Sequence, residues 1–243
     1  MFLDLVKAEP FMEKTQRYGQ VLLGFTLLFT AIALLSSLRG APVDFQQGEN
    51  ARILYVHVPA ARMSILLYVM TAIQTFFFLV TKHPLFLRAS GMGIEMGALF
   101  TFLTLVTGAF RGKPMWGTFW VWDARLTSVF ILLLIYLGAI ALQKISVQLA
   151  SISIRAGPVD IPIIKYSVNW WNTSHQPESI NRFGNAIHIS MILPIFANLA
   201  NSTFTTTLCF VLETRLPITG FRQNTLKEQL LTRKIQNKER NNK

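Results

Sequence analysis

Residues 21–38 read Val21-Leu22-Leu23-Gly24-Phe25-Thr26-Leu27-Leu28-Phe29-Thr30-Ala31-Ile32-Ala33-Leu34-Leu35-Ser36-Ser37-Leu38, eighteen positions without a charge. A run of about this length crosses the roughly 30 Å of bilayer hydrocarbon as a helix, which satisfies its own backbone polar groups where no water can. Residues 63–80 and 126–142 repeat the pattern, and residues 91–110 do so with Glu95 as the one charge. Two weaker runs follow. Residues 145–168 are interrupted by Arg155, Gly157, Pro158, Asp160 and Pro162, and residues 187–212 carry Pro194 and many Asn, Ser and Thr. The pattern predicts an all-α, polytopic membrane bundle of about six transmembrane helices over residues 1–212, followed by a basic polar tail over 213–243. Composition agrees, since 51% of the 243 residues are apolar or aromatic and 14% are charged, against about a quarter charged in a soluble domain.

The net charge of +11 could suggest nucleic acid, but its placement argues against a phosphate-binding groove. Residues 222–243 alone hold seven Lys or Arg in a segment with no apolar face, so anionic lipid headgroups are the expected partner and nucleic acid is not. With six spans, fifteen Lys and Arg fall on the side of the two termini and seven on the other. The positive-inside rule therefore puts both termini in the cytoplasm or its organellar equivalent. The first apolar run is long enough to stay as a span and no small-residue cleavage pattern follows it, so no removable leader is expected. Asp4, Glu9 and Glu13 disagree with an acid-poor transit peptide. Cys209 stands alone, which excludes an internal disulfide, a multi-thiolate metal site and covalent haem attachment through paired cysteines.

Six spans put the odd-numbered loops on one face of the membrane, and those loops hold nearly every residue able to do chemistry. The first ends at Tyr55-Val56-His57-Val58-Pro59. The third, over residues 111–125, contains Trp116-Gly117-Thr118-Phe119-Trp120-Val121-Trp122-Asp123-Ala124-Arg125. The fifth contains Trp170-Trp171-Asn172-Thr173-Ser174-His175. All five tryptophans are there. An interfacial aromatic belt would populate both sides of the membrane, so a binding shelf explains the asymmetry better. Run as a strand, residues 116–122 put Trp116, Thr118, Trp120 and Trp122 on one face; run as a helix, they align Trp116, Trp120 and Asp123. Either shelf suits a large planar conjugated ligand. Asp123 and Arg125 can pair locally, and Arg111, Lys113 or Arg125 can meet an anionic ligand group.

Of the four histidines, His83 faces the opposite compartment beside Pro84, and His188 competes with His175 on the loop side. His57 and His175 sit where outer loops meet spans two and five, so two neutral imidazoles can approach one site from opposite sides, as axial ligation of a haem iron requires. Zinc would need three or four closely spaced ligands, and no Walker A sequence is present. Glu95 is an intramembrane carboxylate near the inner end of span three, within reach of Arg62 or capped by Arg88. Gly93 and Gly97 form a small-x-x-x-small face for helix packing.

The residues around His57, the run over 112–127 and the stretch ending in His175 closely resemble the CcmC family of haem-handling membrane proteins in system I cytochrome c maturation. Trp116 to Asp123 is similar to the tryptophan-rich signature of that superfamily, and Lys113-Pro114-Met115 and Ala124-Arg125-Leu126-Thr127 resemble the CcmC branch. The resemblance implies a six-helix, non-enzymatic protein that binds haem b non-covalently at the outer face. His57 and His175 would be its axial ligands, and Trp116, Gly117, Trp120, Trp122, Asp123 and Arg125 its platform. It further implies delivery of haem to a membrane-anchored haem chaperone, beside ABC transporter subunits and a small membrane subunit. The likeness to organellar members, through Arg155-Ala156-Gly157-Pro158, points to the mitochondrial inner membrane. Three departures stand out: Ser174 in place of the usual Leu, Arg155 and Asp160 in span five, and a polar span six. A b-type electron-transfer cytochrome and a haem or solute permease are the alternative functions. The first would carry its histidines inside the spans, and the second would show broken or charged spans near midplane.

Overall fold

The computed structural model describes residues 8–40, 48–170, 180–181, 184–185 and 190–215. His175, His188, Trp171 and the tail beyond Arg215 lie outside the described residues. The chain folds as an all-α bundle, and five helices among the described residues are long and apolar enough to cross a membrane. They are α1 (Ala8–Leu35), α2 (Leu54–Thr81), α3 (Pro84–Trp116), α4 (Ala124–Gln143) and, after two short helices, α7 (Ser190–Arg215). The interrupted fifth run is two helices, α5 (Val147–Ala156) and α6 (Asp160–Trp170), joined by a 3-10 turn at Gly157–Val159. A two-residue antiparallel ladder, Ile180–Asn181 against Gly184–Asn185, is a local feature between α6 and α7.

Helices α2 and α3 form a tight antiparallel pair, because Lys82 adopts a left-handed conformation (φ 55°) and His83 caps the next helix. The His83 Nδ1 accepts from the Leu85 N–H at 3.2 Å, with Pro84 in the first turn where its missing donor costs nothing. His83 is thus an N-cap. At the other end α3 continues past Phe110 to Trp116, farther than its apolar run. The run reports hydrocarbon thickness, whereas the helix stops where Gly117 (φ 74°) turns left-handed and its N–H bonds the Lys113 carbonyl.

The central core joins five helices: Tyr68 of α2, Ile94 and Ala98 of α3, Leu132, Tyr136 and Ala139 of α4, Ile154 of α5 and Ile164 of α6. Two tyrosines organise it. Tyr136 fits because Gly97 has no Cβ, and its hydroxyl donates to the Ser64 carbonyl at 3.1 Å. Tyr68 meets it edge-on, reaches across to donate to the Ile154 carbonyl, and lies against Gly157. The glycine at the break in span five therefore seats a side chain from α2. Gly93 receives Thr71 of α2 while Gly97 receives Tyr136 of α4, so the small-residue face serves two neighbours rather than one close helix pair.

Helix α7 packs on α2, where Tyr55 meets Ile195 and Met63 and Leu67 lie near Leu199. Its polar residues face α1. Thr30 bonds Asn201 at 3.0 Å and Asn198 donates to Ser37 at 3.0 Å, while Phe204 stacks on Phe25 and Phe29. Without water, such hydrogen bonds and close ring packing are what holds helices together in lipid. The two described Asn pairings of this span are met by α1 and the turn after it, while its Ser and Thr hydroxyls bond carbonyls of their own helix. Arg88 of α3 pairs with Glu213 of α7 at 3.4 Å, and Glu95 lies on the exposed side of α3 with Leu99 and Phe102.

Candidate functional site

The α2 N-terminus, the α3 C-terminus and the α4 N-terminus meet at one end of the bundle. Because α2 and α3 pair about the Lys82–His83 turn, positions equidistant from it face each other, and His57 lies opposite Thr107 and Gly108. The His57 Nδ1 is 3.0 Å from the Thr107 hydroxyl oxygen. Gly108 leaves the room for that ring, since a Cβ there would sit 3.1 Å from the imidazole Cε1. The ring is half-buried, two residues before the buried Pro59.

Residues 117–123 are neither strand nor helix. The bends after Gly117 fold the segment back so that Asp123 can cap α4, its Oδ1 accepting from the Leu126 N–H at 2.7 Å. This is ordinary N-cap chemistry for an aspartate. Trp120 and Trp122, two residues apart, meet edge-to-face at 5.6 Å, and Trp120 meets Phe130 of α4 the same way at 6.1 Å. Trp122 is 78% exposed, so this aromatic wall opens outward. Trp116 instead lies back over Gly112 in the last turn of α3, where a Cβ would come within 2.8 Å of the indole. Lys113 sits 5.0 Å over the Phe119 ring and donates to the Gly117 carbonyl at 2.9 Å, which braces the turn.

Arg125 ties the loop to α6. Its Nε donates to the Ile164 carbonyl at 3.2 Å and an Nη to the Lys165 carbonyl at 3.5 Å. With Gly138 of α4 beside Ser153 of α5 and Arg125 beside Ile164 of α6, the α5–α6 pair runs back along α4 and α6 heads toward the tryptophan loop. The Trp120 indole N–H is buried with no acceptor among the described residues. An orphaned donor of this kind is costly unless a ligand or partner supplies the acceptor. The donor set suits a porphyrin: an imidazole, an outward-facing aromatic wall and an indole N–H able to meet a carboxylate.

Sequence reasoning did not find Thr107, Gly108 or Phe130. The first two were within reach, because a two-residue turn at 82–83 pairs position 57 with 107 and 108. Phe130 needed the fold of the loop.

The family model described as Heme exporter protein C matches residues 1–229 of the chain. A ccmC-like mitochondrial protein of cytochrome c biosynthesis from Arabidopsis thaliana is 62% identical over 233 residues, covering 96% of this chain and 91% of its own. Its counterpart from Marchantia polymorpha is 58% identical over 91% of this chain and 97% of its own. A Heme exporter protein C from Bradyrhizobium diazoefficiens is 41% identical over 79% of this chain and 76% of its own.

Proposed function

The chain belongs to the CcmC family, Heme exporter protein C, and from that premise we propose that it holds haem at the tryptophan-bearing face of the membrane and delivers it to a membrane-anchored haem chaperone. A role in cytochrome c maturation follows from the family itself. Haem b would be the cargo, held non-covalently by the imidazoles of His57 and His175, whose ring nitrogens would ligate its iron. The protein makes and breaks no bond in it, so the role is non-enzymatic.

Trp120 and Trp122 are the wall against the macrocycle, and the Trp120 indole N–H is the donor to a propionate. Trp116 and Gly117 set the entry to that wall, Asp123 fixes its exit by capping α4, and Arg125 holds it to the helix that leads to His175. ABC transporter subunits and a small membrane subunit are the partners in the maturation complex. The site is the mitochondrial inner membrane, with both termini in the matrix by the distribution of positive charge.

The observation that carries this reading is the convergence of His57, the tryptophan loop and α6 at one end of the bundle. Absorption spectra of the affinity-purified protein test it. The Soret band is lost in His57→Ala and in His175→Ala and kept in His83→Ala; normal haem in both of the first two variants sinks the ligand assignment. The break in α5 and α6 with the buried Asp160 favours a second reading, a permease. Haem flux into sealed vesicles by this chain alone would support it over delivery.

A further inference from the structure

We propose that Thr107 and Gly108 of α3 are positioning residues for His57, fixing the imidazole as the Nδ1–H tautomer and aiming its Nε2 as the basic nitrogen toward the ligand site. The inference rests on the reading of His57 as an iron ligand, and the chemistry is decided by one hydrogen atom. The Thr107 hydroxyl has a single proton, and at 2.6 Å the Leu103 carbonyl, one turn back in the same helix, takes it. The hydroxyl oxygen facing the His57 Nδ1 at 3.0 Å is therefore an acceptor, so the Nδ1 must be the donor. A neutral imidazole that donates through Nδ1 keeps its lone pair on Nε2, the atom that binds a metal.

Partners of this kind orient a ligand histidine and raise its basicity, and removing one typically lowers metal affinity about 10- to 100-fold. Gly108 acts by shape. Any side chain there would press on the Cε1 at 3.1 Å and turn the ring off the Thr107 oxygen. The same residue makes α3 intrinsically less stable than alanine would, so its presence beside the imidazole sets packing of the ring above helix propensity.

The test has a haem-free arm and a haem-loaded arm. In haem-free protein labelled with 15N-histidine, His57, assigned by its loss in His57→Gln, shows a protonated Nδ1 and an unprotonated Nε2. Thr107→Val abolishes that bias and Thr107→Ser restores it. In haem-loaded protein, Thr107→Val speeds haem loss to a soluble acceptor at least about 10-fold and raises the midpoint potential, since a less basic imidazole stabilises ferric iron less; Thr107→Ser stays near wild type. Gly108→Ala melts no lower than wild type yet loses haem faster. An Nε2–H tautomer in the wild type, or wild-type haem loss in both Thr107→Val and Gly108→Ala, overturns the proposal. Normal haem binding by His57→Ala overturns the ligand reading instead, whatever the tautomer.

Discussion

Replacing Arg125 by Met keeps the apolar stem of the side chain and removes the guanidinium, which isolates its tie to α6. Of its two bonds to that helix, the one to the Ile164 carbonyl at 3.2 Å is sound and the one to the Lys165 carbonyl at 3.5 Å is at the limit of a hydrogen bond. A hydrogen bond from a charged donor contributes about 1.5–3 kcal/mol. With one good bond at a half-buried site, the lower part of that range applies, about 1.5–2 kcal/mol. That corresponds to a roughly 10- to 30-fold change in the docked population of α6 relative to the loop. If α6 presents the segment bearing His175, haem affinity falls by about the same factor. The haem that stays bound keeps its wild-type spectrum, because neither ligand has changed. Titration of purified Arg125→Met with haem, read by the Soret band, gives the affinity, and Arg125→Lys should fall between Met and wild type because one point donor replaces a fork. Wild-type affinity in Arg125→Met would refute the idea that this tie assembles the site. A shifted spectrum at unchanged affinity would refute it too, by making Arg125 a direct haem contact only.

Gly97→Ala drives a methyl into the fully buried Tyr136 ring; it should cost about 1–3 kcal/mol or more and lower the thermal midpoint in detergent. Tyr136→Phe, which loses only the bond to the Ser64 carbonyl, should cost about 0.5–1.5 kcal/mol in the same assay. Asn201→Leu removes the hydrogen bond to Thr30 and should weaken the α1–α7 pair by about 0.6 kcal/mol and at most about 1.7, visible as less disulfide trapping between cysteines placed on the two helices. His83→Ala should lose about 0.5 kcal/mol of capping with no change in the haem spectrum, because His83 is at the opposite end of α3 from the loop.

The four long apolar runs, charge-free but for Glu95 in the third, made α1 to α4 readable, since hydrocarbon thickness leaves a direct mark on sequence. Where helices end was less readable. Asp123 starts α4 by capping and Gly117 ends α3 by left-handed geometry, which are local signals that an apolar count does not register. The tryptophan segment resisted both periodic readings because its conformation is set by those caps and by Phe130 and Lys113, not by its own repeat. Yet its second-neighbour geometry survives in the Trp120–Trp122 contact. Span six looked too polar when taken alone; Thr30 and Ser37, about 160–170 positions away in the chain, are the missing partners of its Asn201 and Asn198. In span five, Gly157 read as an interruption, and only the fold supplied its reason, the Tyr68 ring of α2. His57 was legible as a residue and illegible as an environment, because Thr107 and Gly108 enter only once two helices are paired.

Electron paramagnetic resonance of the ferric, haem-loaded protein addresses the bis-imidazole grip directly. The wild type should give a low-spin signal of two imidazole ligands. His57→Gly and His175→Gly should each lose it, and added imidazole should bring it back in both. A low-spin signal unchanged in either glycine variant would mean that the residue does not hold the iron.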